Sequence, residues 1–297
     1  MYGTQVYICG FAGGGTGNLT VEWFLRRHGY SRHIITGLKR TEDGIFRNGV
    51  RAWTSQAVHA GDVIETHLVE TEPSDGILPR PVPFSVVYED DDILVVDKPA
   101  DTPIHPSIGN YENTLANGIA WYFEQKGEPF VYRCINRLDR DTTGLIVLAK
   151  HALSAAVLSQ AMRSREIHRT YQAFALGETA ASGTIDAPIA RLNGSLIQRT
   201  VDFASGERSV THYRTLAHCS VFSHLELNLE TGRTHQIRVH MAYIGHPLLG
   251  DTLYNKTPGT FPRQALHSAS LSFVHPITGE PLNFHAPLPE DMQNLLT

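Results

Sequence analysis

The stretch of this sequence best suited to chemistry is a charged turn at residues 137–144, which reads RLDRDTTG. It holds two carboxylates, Asp139 and Asp141, together with two arginines. Residues 131–135 before it and 145–149 after it are short, apolar and β-prone, which predicts a strand on either side. Polar side chains at strand ends can be held rigidly and still be open to a ligand, so each carboxylate is a candidate acid, base or nucleophile. The alternative is a solvated turn, whose ion pairs would contribute only about 0 to 1 kcal/mol.

Residues 136–144, NRLDRDTTG, resemble the active-site motif of the RluA-type pseudouridine synthases, which usually reads HRLDxxTSG. Further stretches that resemble this family follow in the family's order: ILVVDKP at 93–99, HRTYQA at 168–173, TGRTHQIRVH at 231–240 and GHPLLGD at 245–251. The resemblance extends from about residue 84 to residue 287. Two positions depart from the family pattern, because Asn136 replaces the usual histidine and Thr143 the usual serine.

The resemblance implies that Asp139 is the catalytic aspartate, whereas the residue types alone do not separate it from Asp141. It implies that Arg238 is the active-site arginine, with Arg233 as the second choice, because a nearby cation would keep an enclosed carboxylate ionised. It also implies that Tyr171 lies against the uracil, where a ring can stack on the base. The residues predicted to bind substrate are Arg137, Arg140, Thr142, Thr143, Arg233 and His235.

The implied reaction converts uridine to pseudouridine in structured RNA, either ribosomal or transfer RNA. It breaks the bond from ribose to a base nitrogen, rotates the uracil and rejoins the sugar to a ring carbon. No redox partner or energy source is needed, so we expect an isomerase without a cofactor. A carboxylate beside the anomeric carbon would act as nucleophile or as base. A stacked nucleotide must first flip out, and Arg137 resembles the arginine that then enters the RNA.

Two other functions stay open on the sequence. The departure at Asn136 is compatible with a protein that keeps an RNA-binding surface but has lost activity and serves as an assembly factor. A glycoside hydrolase would use Asp139 and Asp141 as a carboxylate pair about 5 to 9.5 Å apart. A metal site is not expected, because the histidines between residues 235 and 246 are spaced five and six apart and do not share a helical face.

Charge is unevenly distributed along the 297 residues, whose formal net charge is −5. Residues 26–51 contain seven Lys or Arg and two acids, whereas residues 70–101 contain nine acids and two basic residues. A basic patch on an acidic body favours contact with phosphates on one face, although a solvated helix face would give the same pattern. The residues predicted to bind RNA there are Arg32, Lys39, Arg40 and Arg47.

The composition, with 41% apolar and 19% charged residues, is ordinary for a globular protein. No apolar run approaches the roughly 20 residues that a membrane span needs, and the first residues lack the basic segment of a secretory signal. The three cysteines are far apart and form no Cys-x-x-Cys pair, which argues against a disulfide framework or a zinc knuckle. We expect a cytoplasmic monomer whose partner is RNA and not a membrane.

A proline-rich segment at residues 71–84 predicts an extended linker between two domains. Residues 1–70 resemble the S-four-like RNA-binding domain, on the cues YSR at 30–32, RNGV at 47–50 and GDVI at 61–64. The glycine run at residues 13–17 lacks the lysine of a phosphate-binding loop and predicts a turn. Residues 85–297 are predicted to form the catalytic domain.

Strands in the larger domain are predicted at residues 93–97, 132–135, 145–149, 170–176, 211–217, 222–229 and 271–274. Helices are predicted at residues 112–125, 152–163 and 234–244. This arrangement predicts an α+β fold, in which a pseudouridine synthase catalytic domain has a large mixed, mainly antiparallel sheet and a small N-terminal α/β RNA-binding domain precedes it.

Overall fold

The computed structural model describes residues 2–10, 19–70, 73–219, 221–257 and 259–296. Its helices are α1 (Val21–Arg27), α2 (Arg32–Arg40), α3 (Leu115–Gln125), α4 (Ala152–Arg163), α5 (Gln236–Tyr243) and α6 (Glu290–Gln293). Its first strands are β1 (Tyr2–Ile8), β2 (Ile45–Arg47), β3 (Val50–Arg51), β4 (Val63–Val69), β5 (Ser85–Glu89), β6 (Ile93–Lys98), β7 (Thr143–Ala149) and β8 (His168–Leu176). The remaining strands are β9 (Ser182–Asp186), β10 (Ile189–Arg191), β11 (Arg199–Val201), β12 (Val210–His218), β13 (Phe222–Leu229), β14 (Leu266–Val274) and β15 (Pro281–His285).

The N-terminal region is an antiparallel sheet in the order β1-β4-β2-β3, accompanied by α1 and α2. Ser31 caps α2 by accepting a hydrogen bond from the backbone of Ile34. Asn48 and Gly49 both have positive φ, 52° and 75°, which is the conformation that a tight hairpin turn between β2 and β3 requires. The predicted turn at residues 13–17 lies outside the described residues.

The core of this region is not closed on itself. Its buried side chains, among them Phe24, Leu25 and Ile64, form one cluster with Leu153 of α4, which is fully buried. The linker residues 73–84, which the structure describes, contain neither helix nor strand. The division into domains at residues 71–84 stays a prediction, and the shared core shows that the N-terminal region packs directly against α4.

The main sheet has the order β5-β6-β7-β14-β8-β13-β12-β9, and β15 pairs with β14. All its neighbouring strands are antiparallel except β7 and β14, which are parallel through residues 143–144 and 267–268. The predicted α+β fold with a large mixed, mainly antiparallel sheet is therefore confirmed. One apolar cluster on this sheet includes α3 and α5, and a second includes α4 and β15. None of the helices that the structure describes is long and apolar enough to cross a bilayer.

The prediction of a strand at residues 132–135 is wrong, because the segment makes only an isolated bridge between Cys134 and Leu148. Two backbone hydrogen bonds tie it to β7, from Ile135 to Val147 and from Ala149 to Arg133. The chain then leaves the sheet to form the charged turn. The helix predicted at 234–244 also begins later than expected, at residue 236.

Candidate active site

Asp139 lies in the turn immediately before β7, where it lines a cleft of about 890 Å³. The backbone N–H of Thr142 donates to the carbonyl of Asp139 over 3.1 Å and closes the turn. Gly144 has a φ of +112°, and a Cβ there would lie 2.3 Å from the carbonyl oxygen of Ser268, so only glycine lets β7 meet β14 at this point. The side chain of Asp139 is 23% exposed, which leaves it open to a ligand.

Two buried cations hold the backbone of this turn. The Nζ of Lys98, at the end of β6, donates to the carbonyl of Arg140 over 2.8 Å. The Nη1 of Arg263 donates to the carbonyl of Asp141 over 3.1 Å, while its other nitrogens form a bidentate pair with Asp291 at 2.7 and 2.9 Å. Burial lowers the pKa of Lys98 to about 7, against the opposing charge of the nearby aspartates. The carboxylate that the turn carries is thus placed by contacts from two distant segments.

The amide of Asn136 joins the start of the turn to β7. Its Nδ2 donates to the carbonyl of Leu145 over 3.2 Å, and its Oδ1 accepts from the N–H of Val147 at 2.9 Å. The side chain therefore does what a backbone peptide group would do in a sheet, at the point where the chain itself turns away. Asparagine satisfies this buried position fully, although the family motif usually has histidine there.

Arg238 lies between two carboxylates. Its Nη1 is 3.0 Å from Oδ2 of Asp139, and its Nε and Nη2 form a bidentate pair with Asp251 at 2.7 and 2.9 Å. Asp251 is completely buried and also accepts the backbone N–H groups of Leu253 and Tyr254. Burial lowers the pKa of Arg238, but the hydrogen bonds and charges of the two aspartates outweigh this and leave its pKa raised. Arg238 is thus a fixed cation beside Asp139.

His235 approaches the other oxygen of Asp139. Its Nε2 lies 3.9 Å from Oδ1, and its Nδ1 shares a hydrogen bond of 2.8 Å with the hydroxyl of Tyr254. Burial lowers the pKa of His235 even though Asp139 acts in the opposite direction, which favours a neutral imidazole. His235 has a left-handed backbone, with φ 57°, and this residue precedes α5, so the helix starts later than its sequence pattern predicts.

Tyr171 is the aromatic wall of the site. It lies on β8 and is only 4% exposed. A slot of about 50 Å³ is lined by Asp139, Tyr171 and Arg238, together with apolar side chains that include Leu229 and Ile237. The slot and the larger cleft share Asp139 and Tyr171 in their walls. The three residues predicted to be catalytic therefore meet in one place, a carboxylate with its cation beside an aromatic ring.

Comparison with known proteins agrees with this geometry. A profile of the RNA pseudouridylate synthase family matches residues 92–243. A Bacillus subtilis (strain 168) protein described as an uncharacterized RNA pseudouridine synthase, YjbO, is 39% identical over 279 residues, 94% of this chain and 98% of the relative. Ribosomal large subunit pseudouridine synthase D of Vibrio cholerae is 43% identical over 251 residues, 79% of this chain and 76% of that protein. The chain belongs to the RNA pseudouridine synthase family.

Solved structures lead to the same family. Human RNA pseudouridylate synthase domain containing 1 has a TM-score of 0.59 and 26% identity, and the match covers 73% of this chain and 86% of that one. The family profile and the relatives named ribosomal large subunit pseudouridine synthase D confirm the RluA-type resemblance of the motifs, and the synthase is an isomerase that acts on RNA. The alternative of an assembly factor without activity is not favoured.

Besides His235, three of the residues predicted to bind substrate line the cleft or its slot. Arg137 is exposed there and makes no side-chain hydrogen bond or ion pair with any residue that the structure describes. Arg233 lines the cleft as an ion pair with Glu207. Thr142 is buried at the slot, and its hydroxyl accepts from Nε2 of Gln264 at 3.2 Å. Arg137 and Arg233 are open to RNA, whereas Thr142 is buried in the wall of the slot, and the roles of all three stay predictions.

The structure does not bring Arg140 or Thr143 to the cleft. Arg140 points outward and pairs with Asp101, with its Nε 2.6 Å from the carboxylate. Thr143 is buried at the start of β7, where its hydroxyl lies 2.9 Å from Nδ1 of His267. Both were predicted to contact substrate, but the twist of the turn sends one to solvent and the other into the sheet. Asp141 does not line the cleft either, so it forms no carboxylate pair across a sugar with Asp139.

The residues predicted to bind RNA in the N-terminal region lie on α2 and β2, and none of them lines the cleft. Arg32, Lys39 and Arg40 are exposed on the outer face of α2. Arg47 is partly buried, where it donates to a backbone carbonyl and lies 3.9 Å from Asp62. The three exposed cations form a surface that phosphates could reach, and binding of RNA by this surface stays a prediction.

One cluster of possible metal ligands occurs in the described part of the synthase, formed by Asp90, Asp92 and His275. The Nε2 of His275 lies 3.0 Å from Asp90, and its Nδ1 accepts from the backbone of Thr278. Asp90 also accepts the hydroxyl of Tyr88 at 2.7 Å. Because these donors and acceptors already satisfy one another, the cluster is a hydrogen-bonded network at the start of β6, whereas Lys98 lies at the other end of that strand.

Three residues that the sequence did not single out belong to the site. Lys98 holds the turn, Asp251 holds Arg238, and the ring of Tyr254 lies 5.2 Å from the guanidinium carbon of Arg238. The first two occur in stretches that resemble the family, at residues 93–99 and 245–251, so a signal for them existed. Tyr254 follows the second stretch, and no sequence signal pointed to it.

Proposed function

We propose that this synthase isomerises specific uridines of large-subunit ribosomal RNA, with Asp139 as its catalytic carboxylate. The relatives named ribosomal large subunit pseudouridine synthase D support the choice of RNA, at about 40% identity over three quarters of the chain. The observation that carries the choice of residue is the pairing of Asp139 with Arg238 at 3.0 Å beside Tyr171. We also propose that the protein works as a cytoplasmic monomer.

The proposed chemistry starts as the bond between C1′ of the ribose and N1 of the uracil breaks. Positive character then develops on the sugar, and the carboxylate of Asp139 either attacks C1′ or removes a sugar proton. Arg238 keeps this carboxylate ionised in a site that the RNA would enclose. The freed uracil rotates and its C5 bonds to C1′, while the ester bond to Asp139 breaks or the sugar proton returns, according to the route. The C5 proton then leaves, and N1 ends with a proton. The product is an isomer, so atoms balance without a co-reactant.

Two side chains would keep the nucleotide in place during these steps. Tyr171 offers its ring to the uracil, which stays in the slot while it is detached from the sugar. Arg137, exposed at the mouth of the slot, would replace the flipped nucleotide in the RNA stack. The N-terminal region would add phosphate contacts through Arg32, Lys39 and Arg40, and through Arg47 beside them.

Mapping of pseudouridines in cells with and without the protein tests the proposal. We expect one or a few sites in large-subunit ribosomal RNA to disappear, and to return with the wild type but not with Asp139→Asn. Sites lost only from transfer RNA would assign a different substrate. Unchanged RNA in both classes would contradict the proposed function.

A second test uses the target RNA with 5-fluorouridine at the modified position. Asp139 should still detach the base and rejoin it through C5, but fluorine cannot leave as a proton does. Rearranged fluorinated nucleoside, or a long-lived protein–RNA complex, should accumulate with the wild type and not with Asp139→Ala. Recovery of only unrearranged 5-fluorouridine from the wild type would contradict the assigned chemistry.

A further inference from the structure

The cations in the wall of the cleft are of two kinds. Some are neutralised by protein carboxylates, as Arg165 is by Glu230 at 3.4 Å and Arg233 is by Glu207. Arg169 also lines the cleft, but it has no ion pair within the described residues, and its buried Nε has no hydrogen-bond partner there. A guanidinium kept beside a cleft without a carboxylate is available to an anion from outside the protein.

The guanidinium of Arg169 rests on Gly232. A Cβ at Gly232 would lie 3.3 Å from Nη2 and 3.5 Å from Nη1 of Arg169. Gly232 is not among the glycines with positive φ, so its backbone conformation is one that any residue adopts. A side chain at Gly232 would therefore press on the guanidinium and require it to shift. The contact limits the space open to the guanidinium, which reduces the rotamer entropy lost on binding.

Arg169 is two residues from Tyr171 on β8, so both side chains point to the same face of the strand, about 6.6 Å apart. Both line the cleft. In a nucleotide the base and the phosphates are separated by the ribose, a span of similar size. A uracil placed at Tyr171 therefore brings a phosphate of its own nucleotide close to Arg169.

We infer that Arg169, seated on Gly232, binds a phosphodiester oxygen adjacent to the target uridine. The inference rests on the proposed function, because it requires a uridine at Tyr171. A guanidinium presents two parallel N–H groups to phosphate oxygens, and this geometry fixes orientation as well as charge. Arg169 would then hold the sugar–phosphate backbone still while the base rotates.

The experiment uses the full-length protein and a stem-loop RNA that contains the uridine identified by mapping. One set of RNAs carries a single uncharged methylphosphonate on either side of this uridine. Arg169→Met and Gly232→Ala are compared with Arg214→Met, an exposed arginine that pairs with Glu226 outside the cleft and gives the same charge change. Binding is measured over a range of salt concentrations, and conversion of the uridine is measured in the same samples.

We expect Arg169→Met to bind about tenfold more weakly, with a salt slope smaller by about 0.7, while Arg214→Met binds like the wild type. One methylphosphonate should weaken the wild type by a similar factor and have no further effect on Arg169→Met. Gly232→Ala should weaken binding in the wild-type background and not in Arg169→Met, since it acts by displacing the guanidinium.

Equal effects of each methylphosphonate on the wild type and on Arg169→Met would overturn the inference. So would an Arg169→Met protein that binds like Arg214→Met. Unfolding curves check that the variants fold. If Arg169→Met does not fold, Arg169→Lys, which keeps the charge without the planar group, replaces it. Failure of the proposed function would appear separately, as a uridine that the wild type leaves unconverted.

Discussion

Arg238→Met is expected to damage both the stability and the activity of the synthase, for separable reasons. The change removes the cation between Asp139 and Asp251. Asp251 is completely buried, and leaving a buried carboxylate without its partner costs about 3 to 5 kcal/mol. The two backbone N–H groups that Asp251 accepts reduce this cost without abolishing it. Asp139 is 23% exposed, so the loss of its ion pair with Arg238 should affect activity more than stability.

The double variant Arg238→Met, Asp251→Asn separates the two effects. It replaces both members of the buried pair, so we expect it to regain at least half of the stability that Arg238→Met loses, as measured by urea unfolding. It should stay inactive, because Asp139 still lacks its cation. We expect a loss of about 10²-fold or more in tritium release from RNA labelled at uridine C5, for the single and the double variant alike.

Arg238→Lys is the matched control, since it keeps a charge near Asp139 but cannot form the bidentate pair with Asp251. It should retain more activity than Arg238→Met. The reasoning is wrong if the double variant recovers activity together with stability, because Arg238 would then act only through folding. It is equally wrong if Arg238→Met is as stable as the wild type.

Four further outcomes are expected. Asp139→Asn should abolish tritium release while RNA binding persists, and an active Asp139→Asn beside an inactive Asp141→Asn would reassign the carboxylate. Removal of residues 1–70 should weaken RNA binding and lower its salt dependence. The remaining residues should fold on their own three apolar clusters although Leu153 becomes exposed, and an unfolded product would refute this. Burial lowers the pKa of His267 to about 4, so as the pH falls from about 6.5 to 4 the unfolded chain takes up a proton that the native chain does not. The free energy of unfolding should therefore fall over this pH range by up to about 3 kcal/mol, and unfolding curves at several pH values should show a smaller loss for His267→Asn. Gly144→Ala should lower stability and activity together, since its Cβ would contact the backbone of Ser268, and an unimpaired variant would show that β14 can yield there.

Local pattern was enough to predict most of the elements that carry the site. The helix at 152–163 and the strand at 222–229 occur with the predicted bounds, because apolar periodicity and caps act over a few residues. Short strands such as β5, β9 and β15 were not predicted, since few of their side chains are buried and their apolar pattern is therefore weak. The strand predicted at 132–135 is absent because two backbone hydrogen bonds join this segment to β7, and beyond it the side chain of Asn136 makes the contacts instead.

The sequence by itself determined the family, through motifs whose order and residue types are those of a pseudouridine synthase, and it reduced the catalytic carboxylate to Asp139 or Asp141. The tertiary structure places only Asp139 in the cleft beside Arg238, which is why we propose Asp139 as the catalytic carboxylate. Side-chain direction in a tight turn depends on contacts from other segments, here Lys98 and Arg263, which hold the carbonyls of the turn and direct Asp139 alone toward Arg238. Such contacts join residues up to 122 positions apart, and no local pattern encodes them.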